Sequence, residues 1–173
     1  MQFSNKFNNF INTNKKLYWM DDVSGEIKID LSLSENPLGC SPLVINTIRN
    51  AEYSISKYPE PTNLKLKKTL ASKFNLDCTN LVIGNGIGPL IDSIFRATLD
   101  QKSEVVIPMV TFPLIEQLVR LNQGKPILVK MNKNLTTNLK ALIKNINRNT
   151  SAVFICNPNN PTGELLSRKA ILN

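Results

Sequence analysis

The sequence predicts an α/β fold, a mostly parallel sheet flanked by helices, and three observations carry that expectation. Short apolar runs recur at Leu81-Val82-Ile83, Val105-Val106-Ile107, Ile127-Leu128-Val129 and Ala152 to Cys156. Amphipathic segments of helical length separate them, around residues 90–98, 113–121 and 137–146. The runs are apolar on both faces, as strands covered by helices on both sides are, rather than alternating as in a half-solvated antiparallel sheet.

The elements follow in order. Residues 1 to about 30 are polar and Asn-rich, with Phe3, Phe7, Phe10, Tyr18 and Trp19 scattered through them, which reads as an arm that docks on something. Ile29, Leu31 and Leu33 then alternate as in a half-buried strand that ends at Ser34-Glu35-Asn36-Pro37-Leu38-Gly39. Ser41 caps a helix with Pro42 at its first position and Val44, Ile45 and Ile48 on one face. A second helix starts near Thr62 and spaces Leu66, Leu70 and Phe74 by four.

Composition narrows the functions available. A chain of 173 residues with 42% hydrophobic content is long enough to bury a core. No run approaches the roughly 18 apolar residues of a membrane span, and the N-terminus lacks a signal-peptide stretch, so a cytoplasmic address is expected. Histidine is absent, which removes Ser-His-Asp and Cys-His catalysis and the commonest zinc sites. Cys40, Cys78 and Cys156 are odd in number and unpaired in spacing, so they read as reduced, partly buried thiols, without metal or disulfide. The net charge of +8 is spread along the chain, as on solvated helix faces rather than a nucleic-acid stripe.

The polar loops after these runs carry the chemistry. Gly84-Asn85-Gly86-Ile87-Gly88-Pro89 leads from an apolar run into a helix. With Pro89 at the first helical position, the free amides of Ile87, Gly88 and Leu90 make an anion seat at the positive end of the helix dipole. A tight turn is the alternative. A dinucleotide fingerprint is disfavoured, because Pro89 or Ile91 stands where its third glycine belongs. Val110-Thr111-Phe112-Pro113 offers Phe112 either as a flat stacking surface or as a core residue opening a helix. Asn157-Pro158-Asn159-Asn160-Pro161-Thr162-Gly163 is either a surface turn or a proline-locked loop that holds an amide above a sheet end. Tyr58, in the doubly proline-braced turn Tyr58-Pro59-Glu60-Pro61, is a rigidly presented hydroxyl donor or a surface tyrosine. Because ligands bind outside the carboxyl ends of parallel strands, three of these loops are expected to converge.

Taken together and in order, these segments resemble the class I/II aminotransferases, the fold-type-I pyridoxal-phosphate (PLP) enzymes, nearest to the histidinol-phosphate aminotransferase group. The resemblance runs from about residue 29 to 167. It implies that Asn160 of the NPNNPTG loop donates to the cofactor's phenolic oxygen, that the amides of Gly86, Ile87 and Gly88 bind its phosphate, and that Phe112 stacks on its pyridine. The chain departs from the family's GNG(S/A)xE at Ile87, Gly88 and Pro89, and Ile115 stands where the family has a second aromatic on the far wall of the pocket. By the same resemblance Tyr58 reaches the cofactor phosphate of a partner subunit in a homodimer, and Glu35 and Asn36 of the ENPxG stretch lie near the substrate.

The resemblance further implies PLP as cofactor, and an amino donor and a 2-oxo acid as partners, with no nucleic acid, membrane or metal. Residues 1–40 correspond to an N-terminal arm and part of the small domain. Residues 41–173 correspond to the first half of the PLP-binding large domain. The family's Schiff-base lysine, the acidic partner of the pyridine nitrogen and the carboxylate-binding arginine all follow NPNNPTG, and no segment here resembles them. The expectation is therefore the N-terminal portion of an aminotransferase, inactive alone. A threonine-phosphate decarboxylase-like enzyme and a truncated non-catalytic remnant are the alternatives.

Overall fold

A computed structural model describes residues 35–172. The aromatic arm and the alternating Ile29, Leu31 and Leu33 lie outside the described residues. The described residues divide into two compact units, 35–83 and 84–172.

The first unit is helical. Helix α1 (Pro42–Asn50) begins as the sequence predicts: the Ser41 hydroxyl accepts from the Leu43 amide at 3.3 Å, with Pro42 at the first position. Its apolar face stays exposed among the described residues, with Val44, Ile45 and Ile48 at 46%, 40% and 65%. Helix α2 (Leu64–Phe74) starts two residues later than expected, because Glu60 provides the cap. Its carboxylate accepts from the Thr62 and Leu64 amides at 2.9 and 2.5 Å and from the Thr62 hydroxyl. Left-handed Asn75 (φ 53°) closes the helix. The buried residue is Ala71 rather than Leu66 or Phe74, which remain about half exposed.

Leu81-Val82-Ile83 is not a strand. Leu81 is extended, but Val82 is 75% exposed and no described residue pairs with the segment. An apolar run becomes a strand only where a neighbour completes its ladder.

The second unit holds the sheet. Its elements are α3 (Ile87–Thr98), β1 (Glu104–Pro108), α4 (Leu114–Leu121), β2 (Lys125–Val129), α5 (Leu139–Lys144), β3 (Thr150–Val153) and α6 (Arg168–Leu172). The strands are all parallel, in the order β2-β1-β3, with Val106 opposite both Ile127 and Val153. Only β1 is buried along its length; β2 and β3 are partly exposed edges, so burial on both faces holds for the central strand alone. The pleat sends alternate residues of β1 into different layers. Val105 and Ile107 pack with Ile91 and Phe95 of α3 and with Ile115, Leu118 and Val119 of α4. Val106 packs instead with Val129 and Leu142. β3 ends at Val153, three residues short of the predicted run, although the Phe154 amide still donates to the Val106 carbonyl at 2.9 Å.

Glu104 ties the amino ends of the strands together. Its two carboxylate oxygens accept from Lys125 Nζ at 2.9 Å and Asn147 Nδ2 at 2.7 Å. The Asn147 amide, and after it Lys125, hold its pKa below the ordinary 4.5. A carboxyl lowered in the folded state adds stability above its unfolded pKa and loses it as pH falls through the folded value. Unfolding midpoints of the chain are therefore expected to hold steady down to about pH 5 and to fall below it. Glu104→Gln removes part of that fall; an unchanged acid slope in the variant would sink the assignment.

Candidate functional site

The site is built at the carboxyl end of the sheet, where β1 and β3 lie side by side although β2 intervenes in sequence. The strand order reverses there, which is where open α/β sheets bind ligands. The loop after β1 carries Phe112, and the chain beyond β3 carries Asn160.

Asn159 links these two loops. It is 4% exposed, and its Oδ1 accepts from the Thr111 hydroxyl at 2.8 Å. Its Nδ2 donates to the Val110 carbonyl at 3.1 Å and to Thr162 Oγ1 at 2.9 Å. Its backbone carbonyl accepts from the Gly163 amide at 2.7 Å, and its amide donates to the Glu164 carbonyl at 2.8 Å. Two further contacts brace the loop. Asn157 exchanges both amide bonds with the backbone of Leu166, at 2.8 and 3.1 Å. Glu164 accepts from the Thr137 amide and hydroxyl, each at 2.7 Å. Both Asn157-Pro158 and Asn160-Pro161 are cis.

Asn160, singled out in the sequence, is exposed, and its amide has no partner among the described residues. The loop thus spends Asn157 and Asn159 on holding itself and leaves Asn160 free. Sequence reasoning missed Asn159 because three asparagines in one turn look alike until burial separates them. It also missed Glu164 and Thr111, whose only signal was a polar residue beside the motif.

The anion seat differs in detail from the expectation. Helix α3 begins at Ile87, so Pro89 is its third residue, not its first; there too a missing N–H costs no intrahelical bond. Gly86 is the cap, at φ 92° and ψ 173°, a conformation open essentially to glycine. The amides of Ile87 and Gly88 fall in the first turn, where backbone donors have no intrahelical acceptor. Ile87 is 62% exposed and Gly88 half-buried. A Cβ on Gly88 would stand 3.0 Å from Leu114 Cδ2, which puts the start of α3 against the start of α4, two residues beyond Phe112.

Phe112 is half-buried and packs against the core cluster, as its core reading expects. Ile115 is fully buried in that core, so it forms no wall of a pocket at this end of the sheet. On a helix beginning at Leu114, the second residue turns inward toward Val105 and Ile107.

The remaining candidates belong to the first unit. Tyr58 is fully exposed, in the same segment whose Glu60 caps α2. Hydrogen bonds to Glu60 from Thr62, first its hydroxyl, and from Leu64 hold its pKa below 4.5. Glu35 is exposed. Asn36 closes its own turn, donating to the Gly39 carbonyl at 2.8 Å and accepting from the Leu38 amide at 3.1 Å. Cys40 is exposed rather than partly buried, since nothing described covers that turn; Cys78 and Cys156 are half-buried, and all three are free. Among the described residues no cluster of three potential metal ligands occurs, and no helix is long and apolar enough to cross a membrane.

Known proteins place this arrangement. The family model for aminotransferase class I and II matches residues 26–173. The chain is 35% identical over 144 residues to histidinol-phosphate aminotransferase 1 of Archaeoglobus fulgidus, covering 83% of this chain and 44% of that protein. It is 34% identical over 152 residues to the histidinol-phosphate aminotransferase of Methanocaldococcus jannaschii, covering 86% and 41%. The crystal structure of histidinol-phosphate aminotransferase from Sinorhizobium meliloti in complex with pyridoxal-5'-phosphate superposes with a TM-score of 0.79 at 23% identity, over 99% of this chain and 44% of that one. That likeness shows the fold, and the chain spans less than half the length of each relative. A model matched across nearly the whole described chain and sequence identity above 30% agree with the loops built from the residues upward: this chain belongs to the aminotransferase class I and II family.

Proposed function

We propose that the chain is the N-terminal portion of a PLP-dependent aminotransferase of the histidinol-phosphate type, moving an amino group between an amino acid or phosphorylated amine and a 2-oxo acid. Residues 1–40 serve as arm and part of the small domain, and 41–173 as an incomplete cofactor-binding domain. The observation that carries the reading is the convergence of an unpartnered Asn160 amide, the Phe112 ring and the first turn of α3 at one end of β1 and β3.

The residues present fit the cofactor's three faces. The amides of Ile87 and Gly88, beyond the glycine-only turn at Gly86, are free to donate to a phosphate at the positive end of α3. The Phe112 ring, braced from behind by the core, gives a flat surface for a pyridine. The Asn160 amide donates to a phenolic oxygen and favours its ionised form. When bound, PLP supplies a conjugated ring that accepts the electrons left on the substrate after proton loss. Tyr58, fully exposed, is free to serve the phosphate of a partner subunit in a homodimer. The covalent lysine is not supplied by these residues, so this chain alone does not turn over.

Titration of the full chain with pyridoxal phosphate, read by absorbance, is the test. The expected result is weak, non-covalent binding that Asn160→Ala reduces about fivefold, the worth of one hydrogen bond. Borohydride reduction and peptide mapping should show slow labelling spread over several lysines, since a protonated ammonium is a poor nucleophile. Absence of binding would overturn the cofactor assignment. A single dominant pyridoxyl-lysine, lost in Asn160→Ala, would overturn the claim that the chain is inactive alone.

A further inference from the structure

The two loops that carry Phe112 and Asn160 are distant in sequence, and one buried side chain spans them. Asn159 bonds Thr111 and Val110, residues 48 and 49 positions away, while also bonding Thr162 within its own loop. Both of its amide ends are occupied by protein partners and it is 4% exposed, so it is turned away from any ligand in solvent. Thr111 and Val110 immediately precede Phe112, and Asn160 immediately follows Asn159. Any displacement of one loop is therefore transmitted to the other through a single amide.

We propose that Asn159 is a positioning residue, locking the Asn160 loop to the Phe112 loop so that the amide and the ring are presented at a fixed separation. It acts through its neighbours and does not touch the ligand. The geometry of the lock stands on the hydrogen bonds alone; what the lock positions rests on the proposed function. Loss of the side chain leaves the Thr111 hydroxyl and the Val110 carbonyl without their partner in a half-buried place, which favours opening of both loops. The core beneath, centred on Val105, Ile107 and Ile115, does not involve Asn159.

The experiment compares Asn159→Ala, Thr111→Val and Asn160→Ala in the full chain by backbone hydrogen exchange and by the absorbance of bound pyridoxal phosphate against pH. Asn159→Ala should raise exchange about tenfold or more at residues 109–112 and 159–164, and leave β1 and α4 unchanged. Asn160→Ala should leave exchange unaltered. Both variants should raise the pH of the cofactor's phenolic transition, a change that loss of stability alone does not produce. Thr111→Val, which keeps the volume and deletes one link, should show the same exchange pattern at smaller amplitude, and it decides the matter if Asn159→Ala fails to fold. Exchange that is unchanged, or raised uniformly across the chain, overturns the lock. Loosened loops with an unmoved phenolic transition overturn its positioning role. A wild-type chain that binds no pyridoxal phosphate overturns the proposed function, and the exchange pattern then decides the lock by itself.

Discussion

Replacing Gly86 by alanine is expected to weaken pyridoxal phosphate binding by about 5- to 150-fold, the equivalent of about 1–3 kcal/mol of backbone strain. At φ 92° and ψ 173° the residue sits where an L side chain is resisted by its own backbone, and a Cβ there would meet nothing within 4 Å. The effect is thus torsional rather than steric. An alanine chain relaxes the turn, the amides of Ile87 and Gly88 turn away, and only the strained minority conformation binds. Gly88→Ala is the contrast. Its Cβ would press on Leu114 Cδ2 at 3.0 Å, the end of a flexible side chain, at a position of ordinary helical backbone, so a smaller loss is expected. Calorimetric titration with pyridoxal phosphate, with inorganic phosphate as competitor, measures both. Equal affinity in wild type and Gly86→Ala would remove the anion seat from the site.

Replacing Ile115 by alanine should cost about 2–5 kcal/mol of stability, as for other large-to-small changes in a closed core. Ile115 is fully buried between Val105, Ile107 and the helix pair α3 and α4, and little can collapse into the space it leaves. Ile115→Val should cost about 0.5–1.5 kcal/mol. Denaturant midpoints of the full chain read both values. A residue on a ligand-facing wall would instead change affinity and leave the midpoint alone, and that result would reverse the placement made here.

Helix starts were legible where each has a local cause. Ser41-Pro42 starts α1 in the first unit by capping and a preset φ, and Gly86 opens α3 in the second by adopting a backbone other residues avoid. The segment around residues 113–121 reads as amphipathic, and its helix buries Ile115, Leu118 and Val119 as that spacing requires. Leu81-Val82-Ile83 was misread because apolar content signals burial, whereas a strand needs a hydrogen-bonded neighbour. Ile115 marked only a departure from the family's second aromatic, and the structure buries it in the core because a helix beginning at Leu114 turns its second residue inward.

By itself, the sequence determined the alternation of helix and strand, the parallel sheet, the glycine-bearing turn at Gly86 and the loops that carry Phe112 and Asn160. These depend on neighbours within a few residues, where propensity, capping and periodicity act. Only the tertiary structure decided that β3 crosses back beside β1, which asparagine is buried and which is free, and that Glu104 and Asn159 stitch distant segments together. Those outcomes rest on strand order and on hydrogen bonds between residues more than 40 positions apart, as in the pairing of Asn159 with Thr111 and of Asn147 with Glu104. Such pairings form because a buried polar group must find a partner, and packing alone brings that partner within reach.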